Sequence, residues 1–498
     1  MTARALMLQG TGSDVGKSVL TAGLLRLAKR RGLNAAPFKP QNMSNNAAAC
    51  RDGGEIGRAQ ALQALAAGLA PRVDFNPVLL KPQSDRRSQV VVQGQALSSA
   101  DASDYIANRG SLLTPVLESF DRLTREFDLI LVEGAGSPAE INLRRGDIAN
   151  MGFARAANVP VCLVADIERG GVIASLVGTN AVLDPADAAL VRGFIVNKFR
   201  GDPRLFDAGV DAIVDRTGWQ AYGVVPWLTS VRRLPAEDAV SLDRSEASEP
   251  QVLHIAAPML SRMANFDDAD PLRQQPGVHF EWVPPGQPLP RHCDLVILFG
   301  SKSTLAELAF IHEQGWDHDI IAHARAGGHI LGICGGYQLL GTRIHDPDGV
   351  DGAAGSVEGL GLLDVETHMV PNKTVRPVRG HCTASGMEVT GYEIHVGETR
   401  GKDCERVMFD VGGQRDGAIS PTGRVSGTYL HGVFANDHFR RQWLGGLGAP
   451  NLDPFDYTAA VESALDDLAD ELDAALDVDA LFAAAAPVTP RPPPPHPK

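Results

Sequence analysis

The sequence predicts two doubly wound α/β domains, and three observations lead to that prediction. The chain has 498 residues, of which 44% are hydrophobic and 21% charged, so it is too long for one core but has an ordinary globular composition. Short apolar runs alternate with helical patterns through the first 230 residues, which is typical of a parallel sheet with both faces covered. A second series of such runs begins after residue 250.

The first series predicts the strands of an amino-terminal domain over residues 1–234. Each run is short and apolar, and helical patterns lie between most of them. The predicted strands are Ala5–Gln9, Ala35–Phe38, Phe127–Val132, Val159–Ala165 and Val191–Val196. Apolar periodicity then fades into a polar stretch with proline, which predicts a linker over residues 235–250.

The second series predicts a carboxyl-terminal α/β domain over residues 251–445, followed by a helical extension. Its predicted strands are Val252–Ala256, Val278–Val283, Leu295–Phe299 and His329–Ile333. The extension, over residues 446–486, contains an acidic amphipathic pattern at 457–484 whose apolar stripe favours packing over partner binding. Proline dominates the end of the chain, so we expect residues 487–498 to be disordered.

Charge and cysteine content exclude several classes of protein. The net charge of −14 argues against a nucleic-acid-binding protein, because phosphate contacts require clustered lysine and arginine. No apolar run approaches the length of a membrane span. The six cysteines are scattered without a Cys-x-x-Cys pair, which favours reduced thiols over disulfides or zinc. We therefore expect a cytoplasmic protein that binds neither membrane nor nucleic acid, and the oligomeric state is left open.

A phosphate-binding loop follows the first predicted strand. A helical pattern continues after it, which is the context that such a loop requires. The nucleotide-binding residues predicted within it are Gly10, Thr11, Gly12, Ser13, Val15, Gly16, Lys17 and Ser18. Five residues separate the two outer glycines where the ordinary pattern has four, so the loop is a variant. Backbone N–H groups would hold phosphate oxygens, the lysine would reach the outer phosphates, and the Ser18 hydroxyl would bind Mg²⁺.

Four further residues are candidates near the loop. Lys39 ends the second predicted strand, where ligands of open α/β sheets bind, and is placed on the substrate side. Glu133 ends the third strand and would hold Mg²⁺, with helix capping as its alternative. Asp52, in Asp-Gly-Gly-Glu, is a weaker candidate for the same metal or for the substrate face. Asn197 follows another strand and would contact the nucleotide, unless it merely forms a turn.

Residues 328–338 have the pattern of a nucleophile elbow. Cys334 ends a short apolar strand and has glycines on both sides, which relieve crowding at a sharp turn into a helix. The helix amino terminus favours the reactive thiolate. His431 lies far downstream, between an apolar strand and a glycine. The pair predicts acyl transfer through a thioester; the alternative is a buried structural cysteine and a surface histidine.

Several rarer motifs lie in order along residues 4–445. They are Lys39–Asn46, Asp52–Gln60, Val132–Glu140, Gly300–Thr304, Gly391–His395 and the segments around Cys334 and His431. Together these motifs resemble those of the cobyric acid synthase family of glutamine-dependent amidases. The amino-terminal half is similar to dethiobiotin-synthetase-type carboxylate activators, and the second half to class I glutamine amidotransferases.

The resemblance implies a reaction and a set of roles. The family amidates the b, d, e and g carboxylates of adenosylcobyrinic acid a,c-diamide, using one glutamine and one ATP with Mg²⁺ for each. Cys334 would attack glutamine, His431 would move the proton, and backbone N–H groups near Gly300 and Gly335 would stabilise the oxyanion. Lys17, Ser18 and Glu133 would organise Mg-ATP while a corrinoid carboxylate is phosphorylated and then displaced by ammonia.

Three departures and two alternatives accompany the resemblance. Val433 stands where many class I amidotransferases have an acid, so we predict a Cys-His dyad with its orienting group unassigned. Phe299 replaces a usual proline, and the match around Asn265 and Phe266 is too loose to assign them roles. Cobyrinic acid a,c-diamide synthase is the alternative enzyme, although the Lys39–Asn46 segment argues against it. A partitioning-type ATPase is the alternative from another class, although Gly12 occupies the position of its extra lysine.

Overall fold

The computed structural model describes residues 2–51, 53–83, 86–235, 252–352 and 354–488. Two mainly parallel sheets, one in each half of the chain, form its framework. Most of the predicted linker, most of the predicted disordered tail and the candidate Asp52 lie outside the described residues. The predicted α/β fold class is confirmed, whereas the predicted domain boundaries remain predictions.

The first sheet holds six parallel strands and is covered by helices. In spatial order the strands are Gln220–Pro226, Val191–Phe199, Val161–Asp166, Arg4–Gly10, Leu129–Glu133 and Ala35–Phe38. The helices of this half are Lys17–Arg30, Arg58–Ala67, Ala102–Asn108, Leu113–Leu123, Met151–Ala157, Val172–Val182, Pro185–Ala188 and Asp207–Thr217. The sequence analysis did not predict the edge strand Gln220–Pro226.

Residues 41–101 add two small sheets beyond the second strand. One contains Gln41–Met43, Val78–Pro82, Arg87–Val92 and Gln95–Asp101, and the other pairs Ala47–Ala49 with Glu55–Gly57. This insertion brings polar residues of the first half against the second half of the chain: Asn46 Oδ1, for example, accepts a 2.7 Å hydrogen bond from the Asn265 backbone N–H.

The second half contains a mixed, mainly parallel sheet and a larger, mainly antiparallel sheet in which Arg343–Asp346 pairs parallel with Val365–Cys382. The first consists of Val278–Val283, Leu253–Pro258, Leu295–Leu298, His329–Ile333, Val425–Thr428 and the antiparallel edge Ala418–Ile419. The second contains Gly355–Glu358, Arg343–Asp346, Val365–Cys382, Glu388–Gly401, Leu430–His431, Phe409–Val411 and Gln414–Asp416, and a two-stranded sheet pairs Met263–Ala264 with Gly300–Ser301. The helices are Asp270–Arg273, Thr304–Gln314, Trp316–Arg325, Gly335–Leu340 and Asp437–Gly446.

The end of the chain returns to the first sheet. Helix Tyr457–Ala475 packs its apolar stripe on helix Lys17–Arg30, and Arg26 forms ion pairs of 2.7 Å with Glu462 and Asp466. After the short helix Val478–Ala483, strand Ala486–Pro487 pairs antiparallel with the start of the first strand. The apolar stripe predicted from the sequence is thus covered by the amino-terminal half. None of the helices in the described ranges is long and apolar enough to cross a membrane.

Candidate active sites

The phosphate loop has the conformation that its glycines require. Gly16 caps helix Lys17–Arg30 at φ +95°, and a Cβ there would lie 2.3 Å from the Asn197 side chain. Lys17 Nζ donates to the backbone oxygens of Gly12 at 3.1 Å and Gly136 at 3.4 Å. The loop therefore wraps around the ammonium group that was predicted to reach the outer phosphates.

Asn197 holds the phosphate loop through a hydrogen bond to its backbone. Its side chain is buried, and Nδ2 donates to the Val15 backbone oxygen at 2.8 Å. Its neighbour Lys198 forms a 3.0 Å ion pair with Asp166. The Asn197 amide therefore holds the loop in shape, and its contact with the nucleotide remains a prediction.

The Glu133 carboxylate contacts two other residues that the sequence analysis singles out, Ser18 and Lys39. Its Oε1 accepts hydrogen bonds of 2.7 Å from both Ser18 Oγ and Lys39 Nζ. The side chain is 1% exposed. Burial alone would raise the pKa of Glu133, but Lys39 and the surrounding hydrogen bonds outweigh burial and lower the pKa. The carboxyl group is therefore ionised, as a metal ligand must be.

Two glutamines at the same carboxylate escaped the sequence analysis. Gln63 Nε2 donates to Glu133 Oε2 at 2.6 Å, and Gln60 Nε2 lies 3.5 Å from the same oxygen. Both come from helix Arg58–Ala67, whose first residues belong to the motif Asp52–Gln60. Glutamine on a helix is ordinarily a surface residue, so the sequence offered no separate signal for these contacts.

Cys334 lies on a strained turn between strand His329–Ile333 and helix Gly335–Leu340. Its φ of +54° is unusual for a residue with a side chain. The flanking glycines are required, because a Cβ at Gly336 would lie 1.9 Å from the Leu298 oxygen and one at Gly332 would lie 2.6 Å from Gly336. The predicted elbow thus has its physical basis in the close approach of neighbouring backbone.

His431 faces the cysteine from the short strand Leu430–His431. A Cβ placed on Gly300 would lie 3.5 Å from both Cys334 Cβ and His431 Cε1, so the two side chains converge on one point. The His431 ring also stacks on Tyr392 at a centroid distance of 5.1 Å. The structure therefore places the two predicted residues close together, although they lie far apart in the sequence.

Asp268 is the third member of this arrangement, and the predicted dyad omitted it. His431 Nδ1 lies 2.7 Å from Asp268 Oδ2, and the Gly432 N–H donates to Asp268 Oδ1 at 2.5 Å. Both side chains are 1% exposed. Burial lowers the pKa of His431, but Asp268 and Cys334 outweigh burial and raise the pKa to about 10. Imidazolium is therefore the form that the folded site favours at neutral pH.

Sequence reasoning missed Asp268 because the acid comes from another part of the chain. Asp268 lies on the turn Phe266–Ala269, to which the resemblance assigns no role, while Val433 occupies the position where many class I amidotransferases have an acid. Its neighbour Asn265 is also buried, and Asn265 Oδ1 accepts a 3.0 Å hydrogen bond from the Ala47 N–H. The only signal available was the run Asn-Phe-Asp-Asp itself.

The predicted oxyanion residues lie beside the elbow. Gly300 pairs with Ala264 in the two-stranded sheet. A Cβ on Gly335 would lie 2.8 Å from the Ser301 backbone nitrogen. Gly300 lines the pocket at Cys334, and Gly335 follows Cys334 directly in the chain, so the oxyanion role of their N–H groups remains a prediction.

Residues from both halves of the chain line the pocket at Cys334. Lys302 and Lys373 come from the second half and Lys81 from the first. Buried Glu55 binds Lys81 Nζ at 2.8 Å and also pairs with Lys373. Burial raises the pKa of Glu55, but Lys373 and Lys81 outweigh burial and hold it well below its ordinary range. An ionic contact therefore joins the two halves at the wall of the thiol pocket.

Each half of the chain matches a known protein family. Residues 6–242 match the CobQ/CobB/MinD/ParA nucleotide binding domain, and residues 254–439 match the CobB/CobQ-like glutamine amidotransferase domain. A cobyric acid synthase of Hyphomonas neptunium is 63% identical, over 98% of this chain and 98% of its own length. Cobyric acid synthases of Paracoccus denitrificans and Cereibacter sphaeroides are 62% and 60% identical, each over 97% of this chain and 99% of its own length.

Proposed function

The chain belongs to the cobyric acid synthase family, and from that premise we propose how its two sites carry out the family's reaction. It is an ATP-using, glutamine-hydrolysing ligase of cobalamin biosynthesis. The reaction amidates the b, d, e and g carboxylates of adenosylcobyrinic acid a,c-diamide and yields adenosylcobyric acid. The observation that carries our assignment of roles is the presence, in one chain, of a Cys-His-Asp site and a phosphate loop with an ionised acid.

Ammonia is released at Cys334. The thiolate attacks the side-chain carbonyl carbon of glutamine, and His431 delivers its proton to the departing nitrogen. Ammonia leaves, and the glutamyl thioester remains on the sulfur. Water, deprotonated by the neutral imidazole, then cleaves the thioester and yields glutamate and the free thiol. The 2.7 Å contact from Asp268 supports this role, since it orients the ring and stabilises the imidazolium.

Backbone N–H groups at Gly300 and Gly335 would hold the oxyanion of both tetrahedral intermediates. In a well-studied protease, one such donor stabilises the transition state by about 3 kcal/mol. The short approach between Gly335 and Ser301 supports this proposal, because a side chain at position 335 would disturb the backbone that borders the thiol.

The carboxylate is activated at the phosphate loop. A corrinoid carboxylate oxygen attacks the γ-phosphorus of ATP, the bond to ADP breaks, and an acyl phosphate forms. Ammonia then attacks the acyl carbon and phosphate departs. The roles proposed here are binding of the outer phosphates by Lys17 and charge compensation on the substrate side by Lys39, whose ammonium group already touches Glu133.

Mg²⁺ would be held by Ser18 and Glu133. Their oxygens lie 2.7 Å apart and are the hard donors that this ion prefers. A divalent cation here would neutralise phosphate charge during transfer. Mg²⁺ usually takes only one or two protein carboxylates and completes its shell with phosphate and water, so a single buried acid is sufficient. We also propose that the protein works in the cytoplasm, since its six cysteines are all free.

Mass spectrometry of the corrinoid tests the proposal. Purified protein is incubated with adenosylcobyrinic acid a,c-diamide, glutamine and Mg-ATP. We expect successive amidations that end at four. An unchanged diamide together with amidation of cobyrinic acid itself would assign the protein to the a,c-diamide branch instead. No change in either corrinoid would contradict the proposed substrate.

A further inference from the structure

Helix Arg58–Ala67 extends from the Glu133 site to the turn that carries Asp268. At its first residue, the Arg58 guanidinium forms a 2.7 Å ion pair with Asp267 Oδ2, and Asp267 is 2% exposed. The Arg58 backbone N–H donates to the backbone oxygen of Asn46 at 3.0 Å. The arginine belongs to the amino-terminal half of the chain, whereas its acidic partner belongs to the half that contains the thiol.

Asp267 and Asp268 are consecutive residues of the same short turn, Phe266–Ala269. One carboxylate is held by Arg58 and the next is held by His431 and the Gly432 N–H. Fixing the first side chain fixes the backbone that presents the second. Without a cation at Asp267, two adjacent buried carboxylates would repel each other, and the turn would lose its ion pair with the amino-terminal half.

We propose that Arg58 is a positioning residue for glutamine hydrolysis: the amino-terminal half supplies the cation that holds Asp268 against His431. The thiol site is therefore completed by residues of both halves, although its nucleophile, histidine and acid all come from one. This inference rests on the roles proposed for Cys334 and His431. It predicts that glutamine hydrolysis depends on a residue that touches neither glutamine nor the reacting atoms.

A double-mutant cycle tests the inference. Glutamate release from glutamine is measured for the wild type, Arg58→Gln, Asp268→Asn and the double variant. We expect Arg58→Gln to lower kcat about tenfold with little change in KM. Since Arg58 acts through Asp268, the double variant should be no slower than Asp268→Asn alone. Arg58→Lys should recover part of the loss, because it restores the charge without the forked geometry.

Two controls separate positioning from general damage. Arg72→Gln is the matched control. The Arg72 side chain is 32% exposed, close to the 24% of Arg58, and it pairs with Glu126 and with the buried Asp74. This variant should leave glutamine hydrolysis within about twofold of wild type, as expected for a charge change distant from the site. Amidation with an ammonium salt shows whether helix Arg58–Ala67 has kept its position, because Gln60 and Gln63 of this helix contact Glu133 at the ATP site. Arg58→Gln should preserve that reaction.

The possible outcomes distinguish this inference from the proposed function. Independent, multiplicative losses in the cycle would overturn the role of Arg58. A parallel loss of ammonium-dependent activity in Arg58→Gln would also overturn it, because the defect would then be a displaced helix. Undiminished glutamine hydrolysis by Cys334→Ala would instead overturn the proposed thiol site on which the inference rests.

Discussion

Replacing Asp268 with asparagine changes the charge beside His431 while it keeps the size of the side chain. Asp268 and His431 are each 1% exposed, and their contact is 2.7 Å. The substitution leaves an oxygen that can still accept the Nδ1 hydrogen, but it removes the negative charge that stabilises imidazolium. Glutamine hydrolysis should therefore fall, and its pH dependence should change.

The magnitude follows from the burial of the pair. Removing one partner of a buried ion pair costs about 3–5 kcal/mol. Because asparagine keeps a hydrogen-bond acceptor, we take the lower value, about 3 kcal/mol, which corresponds to a roughly 100-fold loss in kcat. The loss should appear in kcat and kcat/KM alike, since Asp268 acts on the reacting histidine and not on bound glutamine.

The pH profile gives the sign of the effect. The raised pKa of His431, about 10, means that imidazolium persists well above neutral pH in the wild type. Activity that requires this proton is lost as pH rises through that value. In Asp268→Asn the main stabilising charge is gone and burial lowers the pKa, so the alkaline limb of the profile should move down by at least about one pH unit.

The assay is glutamate release with glutamine alone, between pH 6 and pH 10.5, with Asp166→Asn as a control carboxylate near the other site. An Asp268→Asn enzyme with kcat within about threefold of wild type and an unchanged alkaline limb would refute the reasoning. It would show that the buried contact orients the ring without contributing charge to the reaction.

Three further predictions follow from other contacts. Glu133→Gln removes the charge that holds Ser18 and Lys39 together, so ATP-dependent amidation should fall about 100-fold, while glutamate release persists; equal loss of both would contradict separate sites. Glu55→Gln leaves Lys81 and Lys373 uncompensated and should cost about 3–5 kcal/mol in the free energy of unfolding, measured against Glu168→Gln in an exposed pair, for which about 0–1 kcal/mol is expected. Burial raises the pKa of Asp270 to about 7, so its ionisation costs stability as pH rises from its ordinary value near 4 through 7. Asp270→Asn should therefore raise the thermal midpoint more at pH 8 than at pH 5, and equal shifts at both would contradict this assignment.

Local features of the two sites could be predicted because each depends on a few consecutive residues. The phosphate loop needs glycine beside Lys17, and the elbow needs small residues beside Cys334. Both requirements are steric, so the glycines themselves indicate them in the sequence. The parallel strands could be found for a similar reason, since each is a short buried apolar run.

Contacts between distant segments could not be predicted. Asp268 meets His431 across 163 positions and Arg58 meets Asp267 across the junction of the two halves. A charged residue in a polar stretch is ordinarily solvated, so nothing in the sequence separates these from surface residues. The large, mainly antiparallel sheet of the second half was missed because its strands mix exposed and buried positions, as in Val365–Cys382.

The measurement that tests the account most directly compares two nitrogen sources in Cys334→Ala. The variant is given adenosylcobyrinic acid a,c-diamide and Mg-ATP with either glutamine or an ammonium salt, and the corrinoid products are weighed by mass spectrometry. We predict no amidation with glutamine and continued amidation with ammonium, because only the source of ammonia has been removed. Amidation with glutamine at an undiminished rate would contradict the assignment of the nucleophile, and failure with both would contradict the independence of the two sites.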